Sequence, residues 1–289
     1  MFSDKVRSRR NVLKTGAAAL AGTAAGVVSE NSALAEPKQP GETRVVFLMG
    51  DYWHNPIMQE KNWSHILAPA GWRLMFAQAS HFLTPEVLAN TDLLVVSRYA
   101  KTNSLGWTPD RFIEEWPEEQ PFMTKEREAA IIENVRRGMG LLAVHCAVWN
   151  GESEGFMKLI GVEKPFMHTP VQPALIHKLN QAHPITKGVE PAKITEDEIF
   201  MADLIPGQNE VLFNLKGDEV KTDRAGGWCR KEGNGRVVAL LPGHNPHPYH
   251  LKSYKEIMWR SAHWALKKPI VPAVFENGRP PEQTGIKGI

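Results

Sequence analysis

Short apolar runs alternate with amphipathic stretches along the first half of the chain. Four of these runs are bounded by turn residues and predict buried strands. They cover residues 44–49, 72–78, 92–97 and 140–144. Helices are predicted over residues 56–70, from Thr84 onward and over residues 124–137, with Thr84 and Thr124 as N-caps. This alternation predicts an α/β fold whose mostly parallel sheet is covered on both faces.

The second half of the chain predicts shorter and less regular elements. Residues 171–215 are rich in turns and favour antiparallel additions to the sheet. Gly233-Asn234-Gly235 lies between two strand-like runs and is typical of a β-hairpin, and a closing helix is predicted over residues 250–266. Residues 100–122 have no clear period, so we expect an inserted surface loop there.

The length of the chain suits one large α/β domain. We place this domain at residues 44–268, after a Pro/Gly-containing linker at 36–43 and before a Pro/Gly-rich tail at 269–289. Outside the N-terminal region, no segment is long and apolar enough to predict a membrane span.

Residues 1–35 have the three parts of an export signal in the right order. Ser8-Arg9-Arg10-Asn11-Val12-Leu13-Lys14 matches the twin-arginine pattern, and the apolar run at 15–28 is too short to span a bilayer as a helix. Ala33-Leu34-Ala35 is a small-x-small cleavage site. We therefore expect a periplasmic or secreted protein, the alternative being an ordinary N-terminal helix of a cytosolic one.

Charge and cysteine content exclude several classes of function. The formal net charge is +2 and the predicted signal is basic, so the rest of the chain is close to neutral. A near-neutral domain gives no reason to expect a nucleic-acid partner. Cys146 and Cys229 are the two cysteines, which excludes a disulfide framework and thiolate-rich zinc sites, although an oxidising compartment would permit one bridge.

Three histidines follow predicted strands at their carboxyl ends. His54 lies after the first strand, His145 ends the strand at 140–144, and His244 follows the strand of the hairpin. Ligands of parallel sheets bind at this edge, so we expect the three imidazoles to converge there. They would bind a divalent ion, zinc by preference, or share acid–base work near neutral pH. The alternative for each histidine is a structural role with satisfied hydrogen bonds.

Further polar and aromatic residues are candidates for the same site. Glu198 is a candidate fourth ligand or general base, and His145 a candidate catalytic group, although the acidic run at 196–198 is also typical of a solvated turn. Sugar rings stack on aromatic side chains, which suggests a substrate-binding rim. We assign this rim to Tyr52, Trp53, Trp107, Trp149 and His247.

Cys146 is also a candidate nucleophile beside His145. Neighbours in an extended segment point to opposite faces, so the two residues are not expected to form a dyad, although His54 or His244 remains a candidate partner. The alternative is a small buried residue. The sequence lacks the Gly-x-Ser-x-Gly spacing of a serine-hydrolase elbow. It also has no dinucleotide-binding loop after a strand and no Walker-type loop.

The ordered motifs resemble the trehalose-utilisation (ThuA-like) family over about residues 44–267. They are the run from Val45 to His54, Gly138–His145, His183–Gly188, Asp197–Phe200, Gly233–Val237, Pro242-Gly243-His244 and Trp264-Ala265. The resemblance implies a flavodoxin-like three-layer sandwich, similar to class I glutamine amidotransferases, and a role in carbohydrate metabolism. It also implies a metal ion near the histidines. His145 stands where amidotransferases have a nucleophilic cysteine, so glutaminase activity is not expected.

Together these observations predict a metal-dependent enzyme that acts on a sugar or keto-sugar by hydrolysis, isomerisation or elimination. A non-catalytic sugar-binding or assembly protein is the main alternative, and a Cys146 hydrolase is another. The expected partner is a small carbohydrate. The sequence leaves open the substrate, the oligomeric state, including a homo-oligomer, and the role of the insertion at 100–122.

Overall fold

Five parallel strands form one half of a nine-stranded sheet in this computed structural model. Their order across the sheet is β2 (Arg73–Ala77), β1 (Arg44–Met49), β3 (Leu93–Ser97), β6 (Gly140–Val144) and β13 (Gly235–Leu240). All residues of β1, β3 and β6 are buried. Continuous burial of this kind explains why these strands are apolar runs without alternation.

The other half of the sheet is antiparallel. It continues from β13 through β12 (Arg224–Glu232), β11 (Glu210–Gly217), β8 (Gln172–His177) and β9 (Ala192–Asp197). The hairpin predicted at Gly233-Asn234-Gly235 joins β12 to β13. Among the described residues, parallel and antiparallel pairings in this sheet are equal in number, so the antiparallel part is larger than predicted.

Two small sheets accompany the large one. β7 (Val162–His168) pairs with β10 (Phe200–Leu204) in an antiparallel ribbon. β4 (Lys101–Thr102) pairs with β5 (Gln120–Pro121), so the ends of the insertion predicted at 100–122 meet each other.

The structure describes residues 36–78, 80–99, 101–102, 120–121, 123–150, 153–220 and 223–273. The predicted export signal, Trp107 with most of the insertion, and most of the C-terminal tail lie outside the described residues. Residues from Lys38 onward belong to one compact unit. Lys38 lies in the predicted linker and its Nζ is 2.6 Å from Oδ1 of Asp92, so the linker contacts the domain.

The described part of the chain has six α-helices, of which four lie between strands and two follow the last strand, β13. They are α1 (Pro56–Leu67), α2 (Pro85–Ala89), α3 (Lys125–Arg137), α4 (Glu154–Leu159), α5 (Pro246–His250) and α6 (Lys252–Ala265). Thr84 and Thr124 accept hydrogen bonds from Val87 N–H and Arg127 N–H, as expected of N-caps.

Two predicted helix boundaries are wrong. The first helix ends as an α-helix at Leu67 and continues as a 3-10 turn over Ala68–Ala70, because Pro69 lacks the N–H that the α-helical ladder needs. The closing helix begins at Lys252, since Leu251 has an extended backbone (φ −71°, ψ 124°) that separates it from α5. No helix in the described ranges has the length and apolarity that crossing a bilayer requires.

Helices α3 and α6 approach the sheet closely through glycines. A Cβ atom on Gly235 would lie 2.1 Å from the carbonyl oxygen of Val135 in α3, and one on Gly140 would lie 2.8 Å from that of Ala265 in α6. These close approaches fix the central strands β6 and β13, and the loops that follow both strands carry the candidate site.

Candidate functional site

Three loops at the carboxyl edge of the parallel strands bring His54, His145 and His244 together. His54 lies between β1 and α1, His145 directly follows β6, and His244 lies between β13 and α5. The ring centroid of His54 is 5.0 Å from that of His145 and 5.1 Å from that of His244, and the last two are 5.4 Å apart. The rings of three residues that are distant in the sequence therefore lie next to one another.

Glu198 completes this group from the turn between β9 and β10. Its Oε2 lies 3.3 Å from Nε2 of His145 and 3.4 Å from Nδ1 of His244. One potential ligand atom from each of the four side chains lies within 4.8 Å of all the others. We call His54, His145, Glu198 and His244 the histidine–glutamate cluster.

One nitrogen of each imidazole in the cluster is buried without a hydrogen-bond partner. These atoms are Nε2 of His54, Nε2 of His145 and Nδ1 of His244. The contacts of His145 and His244 with Glu198 are within ion-pair distance but lack hydrogen-bond geometry. Buried polar atoms without partners are costly and rare, so these three nitrogens distinguish the cluster from ordinary buried histidines.

The second nitrogen of two rings is held by the protein. Nδ1 of His54 is 2.7 Å from one oxygen of Asp51, and Nδ1 of His145 is 2.9 Å from the carbonyl oxygen of Leu241. Both acceptors favour a proton on Nδ1, so in the neutral form of each ring Nε2 keeps its lone pair. This arrangement is typical of metal-binding histidines, whose other nitrogen donates to a carboxylate or carbonyl.

Asp51 is itself fixed by the backbone. It accepts hydrogen bonds from the N–H groups of Trp53 (2.8 Å), His54 (3.1 Å) and Tyr99 (2.7 Å). Burial raises the pKa of Asp51, but the facing His54 and these donors outweigh burial and lower it. The carboxylate is therefore kept ionised next to the ring that it orients.

Asp197 holds the loop of His244 in place through hydrogen bonds from the backbone. Its carboxylate accepts hydrogen bonds from the N–H groups of Gly243 (2.8 Å), His244 (2.9 Å) and Asn245 (3.0 Å). Burial raises its pKa to about 6, even though His145 and these donors lower it. Asp197 was not a predicted site residue, and it acts here by positioning the loop.

His145 occupies an unusual backbone conformation, with φ of +50°. A left-handed conformation costs a residue with a side chain about 1–3 kcal/mol, and such strain concentrates at functional sites. It turns the chain sharply from β6 into the 3-10 helix His145–Val148. His145 therefore lies at a strand–turn–helix elbow.

The electrostatics of the cluster favour an ionised Glu198 among imidazoles. Burial raises the pKa of Glu198, but His145, His244 and His168 outweigh burial and lower it to about 2. Burial and the neighbouring His145 and His54 lower the pKa of His244 to about 4, so this ring is neutral near pH 7. Burial lowers the pKa of His145, but Glu198 and Asp197 reverse this effect and raise it.

His168 is a residue of this site that the sequence did not reveal. Its Nδ1 lies 2.7 Å from Oε1 of Glu198, and its side chain is 52% exposed. Its ring stacks on Phe200, with centroids 5.3 Å apart. His168 ends β7, which lies outside the parallel strands, so the strand-end argument did not apply to it.

The predicted substrate-binding residues differ in their exposure and in their contacts with the site. Trp53 is 45% exposed, and Trp149 contacts the ring of His168 at a centroid distance of 5.7 Å. Tyr52 is 5% exposed and packs against Trp53, so its ring presents little surface for stacking a sugar. Nδ1 of His247 accepts a hydrogen bond from the N–H of Thr195, which ties this residue to β9.

Cys146 lies beside both Asp51 and His54, and one potential ligand atom from each of these three side chains lies within 4.8 Å of the other two. Its thiol donates to Oδ2 of Asp51 at 3.8 Å. Burial, Asp51 and Glu198 raise the pKa of the thiol well above its usual range, which disfavours a nucleophilic thiolate. The expectation of an extended segment at 145–146 is wrong, since these residues begin the 3-10 helix. Cys146 and Cys229 are both free and buried.

The fold and the cluster define an α/β protein with a histidine-rich centre at the carboxyl edge of its sheet. A model of the ThuA family, described as trehalose utilisation, matches residues 44–265. The chain belongs to this family, which is related to carbohydrate metabolism, as the resemblance in the sequence predicts. No curated protein matches the sequence significantly.

Solved structures of ThuA-like proteins have the same fold. One from Parabacteroides merdae ATCC 43184 has a TM-score of 0.62 and 15% sequence identity, and the matched region covers 80% of this chain and 93% of that chain. One from Bacteroides uniformis ATCC 8492 has a TM-score of 0.60 and 15% identity, and covers 80% and 94%. A β-galactosidase from Rahnella sp. R3 has a TM-score of 0.51 and 10% identity over 79% of this chain and 32% of its own.

Proposed function

We propose that this protein is a metal-dependent enzyme that acts on a sugar or keto-sugar. The observation that carries the proposal is the set of three buried imidazole nitrogens without hydrogen-bond partners, grouped with the carboxylate of Glu198. The substrate class comes from membership of a family described as trehalose utilisation.

The donor set fits a divalent transition-type ion. Three imidazoles and a carboxylate are ligands that zinc accepts, and the orientation of His54 and His145 by Asp51 and Leu241 leaves their Nε2 atoms free to bind. When bound, zinc would polarise a substrate carbonyl or lower the pKa of a water molecule. We propose zinc as the resident metal.

Glu198 and His145 have different roles in this proposal. Oε2 of Glu198 faces the imidazoles, as expected of a fourth ligand, whereas its Oε1 lies beside Nδ1 of His168. As a general base, Glu198 would accept a proton at one of these oxygens. His145 would bind the metal through Nε2, since its Nδ1 donates to the carbonyl oxygen of Leu241, and its proposed catalytic role is exerted through that metal. Hydrolysis, isomerisation and elimination all fit this layout.

We propose that Trp53 and Trp149 contact the sugar. Trp53 is 45% exposed in the loop that carries His54, and Trp149 lies beside His168. Carbohydrate rings stack on aromatic faces of this kind.

We also propose a flavodoxin-like, three-layer arrangement for the parallel half of the sheet. Its strand order, β2-β1-β3-β6-β13, corresponds to the 2-1-3-4-5 order of that fold class, in which ligands bind at the carboxyl ends of the strands. Export through the twin-arginine pathway to the periplasm, or secretion, is part of the same proposal and rests on residues 8–14 and 33–35.

Metal analysis tests the proposed function. We expect about one zinc ion per chain in protein purified without added metal, and loss of most of it in His54→Ala and His244→Ala. His81→Ala is the matched control, because His81 is an exposed histidine outside the cluster. Turnover of keto-sugars or glycosides that chelators abolish would support an enzyme. Sugar binding that chelators leave unchanged, without turnover, would instead indicate a sugar-binding protein.

A further inference from the structure

A cavity of about 460 Å³ lies between α1 and the segment that forms α5 and α6. Four basic side chains line it. They are Lys61 and His65 from α1, His250 from α5 and Lys255 from α6. No aspartate or glutamate lines the cavity among the residues that the structure describes.

The basic groups of this cavity are close enough to disfavour one another's charge. Burial lowers the pKa of His65, and Lys255 and His250 lower it further by repulsion. Burial also lowers the pKa of Lys255, whose residue is only 9% exposed. A bound anion would favour the charged forms of these groups, which burial and mutual repulsion disfavour.

A hydrogen-bonding group is also available in the cavity. Nδ1 of His65 is buried and has no hydrogen-bond partner in the described part of the chain. Ile57, which is 54% exposed, and Met58 add apolar surface next to the basic groups. The lining therefore combines positive charge, a free ring nitrogen and an apolar wall.

We propose that this cavity is a binding site for a small molecule that carries an oxyanion, a phosphate or a carboxylate. Lys255 holds the anion at the base of the site, Lys61 and His250 hold it at the exposed rim, and His65 donates from Nδ1. The apolar wall contacts the uncharged part of the ligand. This site is separate from the histidine–glutamate cluster, and it does not depend on a metal there.

Calorimetric titration with inorganic phosphate and, separately, with acetate tests the proposal and identifies which oxyanion binds more tightly. We expect one saturable site per chain. Lys255→Gln weakens its affinity by at least about tenfold and Lys61→Gln by about threefold, because charged hydrogen bonds exceed exposed ion pairs in strength. Lys231→Gln, which removes the same charge from an exposed position of β12, leaves the affinity unchanged.

Two results would overturn the proposal. One is the lack of saturable binding with both probes. The other is binding with the wild-type affinity in the lysine variants, which is also what phosphate held by a metal at the histidine–glutamate cluster would give. If circular dichroism shows that Lys255→Gln does not fold, Lys61→Gln and His250→Gln decide the question, because both side chains are exposed.

Discussion

Nδ1 of His54 lies 2.7 Å from one carboxylate oxygen of Asp51 and 2.8 Å from the other. The pair is buried, with side chains 3% and 1% exposed. Asp51 therefore fixes both the orientation of the ring and the position of its proton, and it directs Nε2 toward His145, Glu198 and His244. Such a carboxylate–histidine pair is a common second layer around catalytic metals.

Asp51→Asn tests this relationship. We expect the variant to fold and to bind zinc about 10- to 100-fold more weakly, because the amide keeps the shape of the side chain but not its charge. Competition with a chromogenic chelator measures the affinity. Asp203→Asn removes an exposed carboxylate from β10 and serves as the control. Equal zinc affinity in Asp51→Asn and the wild type would show that Asp51 has no role in metal binding.

Both cysteines should resist alkylation in the folded protein. Burial raises the pKa of Cys229 to about 12, and burial with Asp51 and Glu198 raises that of Cys146. Because the thiolate is the reactive form, iodoacetamide near neutral pH should label both only after unfolding in guanidinium, as followed by mass spectrometry. Rapid labelling of native Cys146 with loss of activity would instead favour the thiol hydrolase.

Crowding and backbone strain should have separable effects on stability. In Gly235→Ala, the new Cβ would lie 2.1 Å from the carbonyl oxygen of Val135, so α3 must move away from β13. We expect a loss of about 3 kcal/mol in the free energy of unfolding.

Gly207→Ala is the comparison for this variant. Gly207 has φ of +71°, but a Cβ added there would meet no heavy atom within 4 Å, so only strain of about 1 kcal/mol is expected. Urea denaturation measures both variants. Equal losses would contradict the close packing of α3 on the sheet.

Acid should destabilise the fold in part through His263. Burial, with a smaller effect of Lys268, lowers its pKa below the usual 6.5, although the carbonyl of Trp259 opposes this. The unfolded chain then binds the proton more readily, so the stability that neutral His263 contributes is present above about pH 6.5 and is lost as pH falls.

His263→Gln removes this titration. We expect its unfolding free energy to fall less than that of the wild type between about pH 7 and pH 5. His81→Gln, a change at an exposed histidine, should retain the wild-type dependence. An unchanged slope in His263→Gln, measured by urea denaturation at several pH values, would rule out this contribution.

The sequence predicted the parallel half of the sheet mainly because β1, β3 and β6 are buried on both faces and appear as apolar runs. The positions of His54, His145 and His244 followed from that half, since each ends or follows one of its strands. From the residues themselves, the sequence indicated Glu198 only as part of an acidic run. Its place beside the histidines depends on the pairing of β8 with β9 across the antiparallel half, which no local pattern indicates.

Other parts of the site depend on long-range contacts. His168 reaches Glu198 through the β7–β10 ribbon, whose register shifts twice, and such irregular pairing leaves no period in the sequence. Asp197 accepts hydrogen bonds from the loop of His244, and Asp51 accepts one from Tyr99 in another loop. These contacts join residues distant in sequence, so no local pattern predicts them. The one available signal for Asp51 was its position immediately after β1, next to the loop of His54.

Anomalous diffraction at the zinc edge, from crystals of protein purified without added metal, tests the central claim most directly. We expect one strong peak within bonding distance of Nε2 of His54, Nε2 of His145 and Nδ1 of His244, with Glu198 adjacent. A zinc-loaded crystal whose anomalous peaks all lie elsewhere, with these nitrogens hydrogen-bonded to one another or to water, would contradict it.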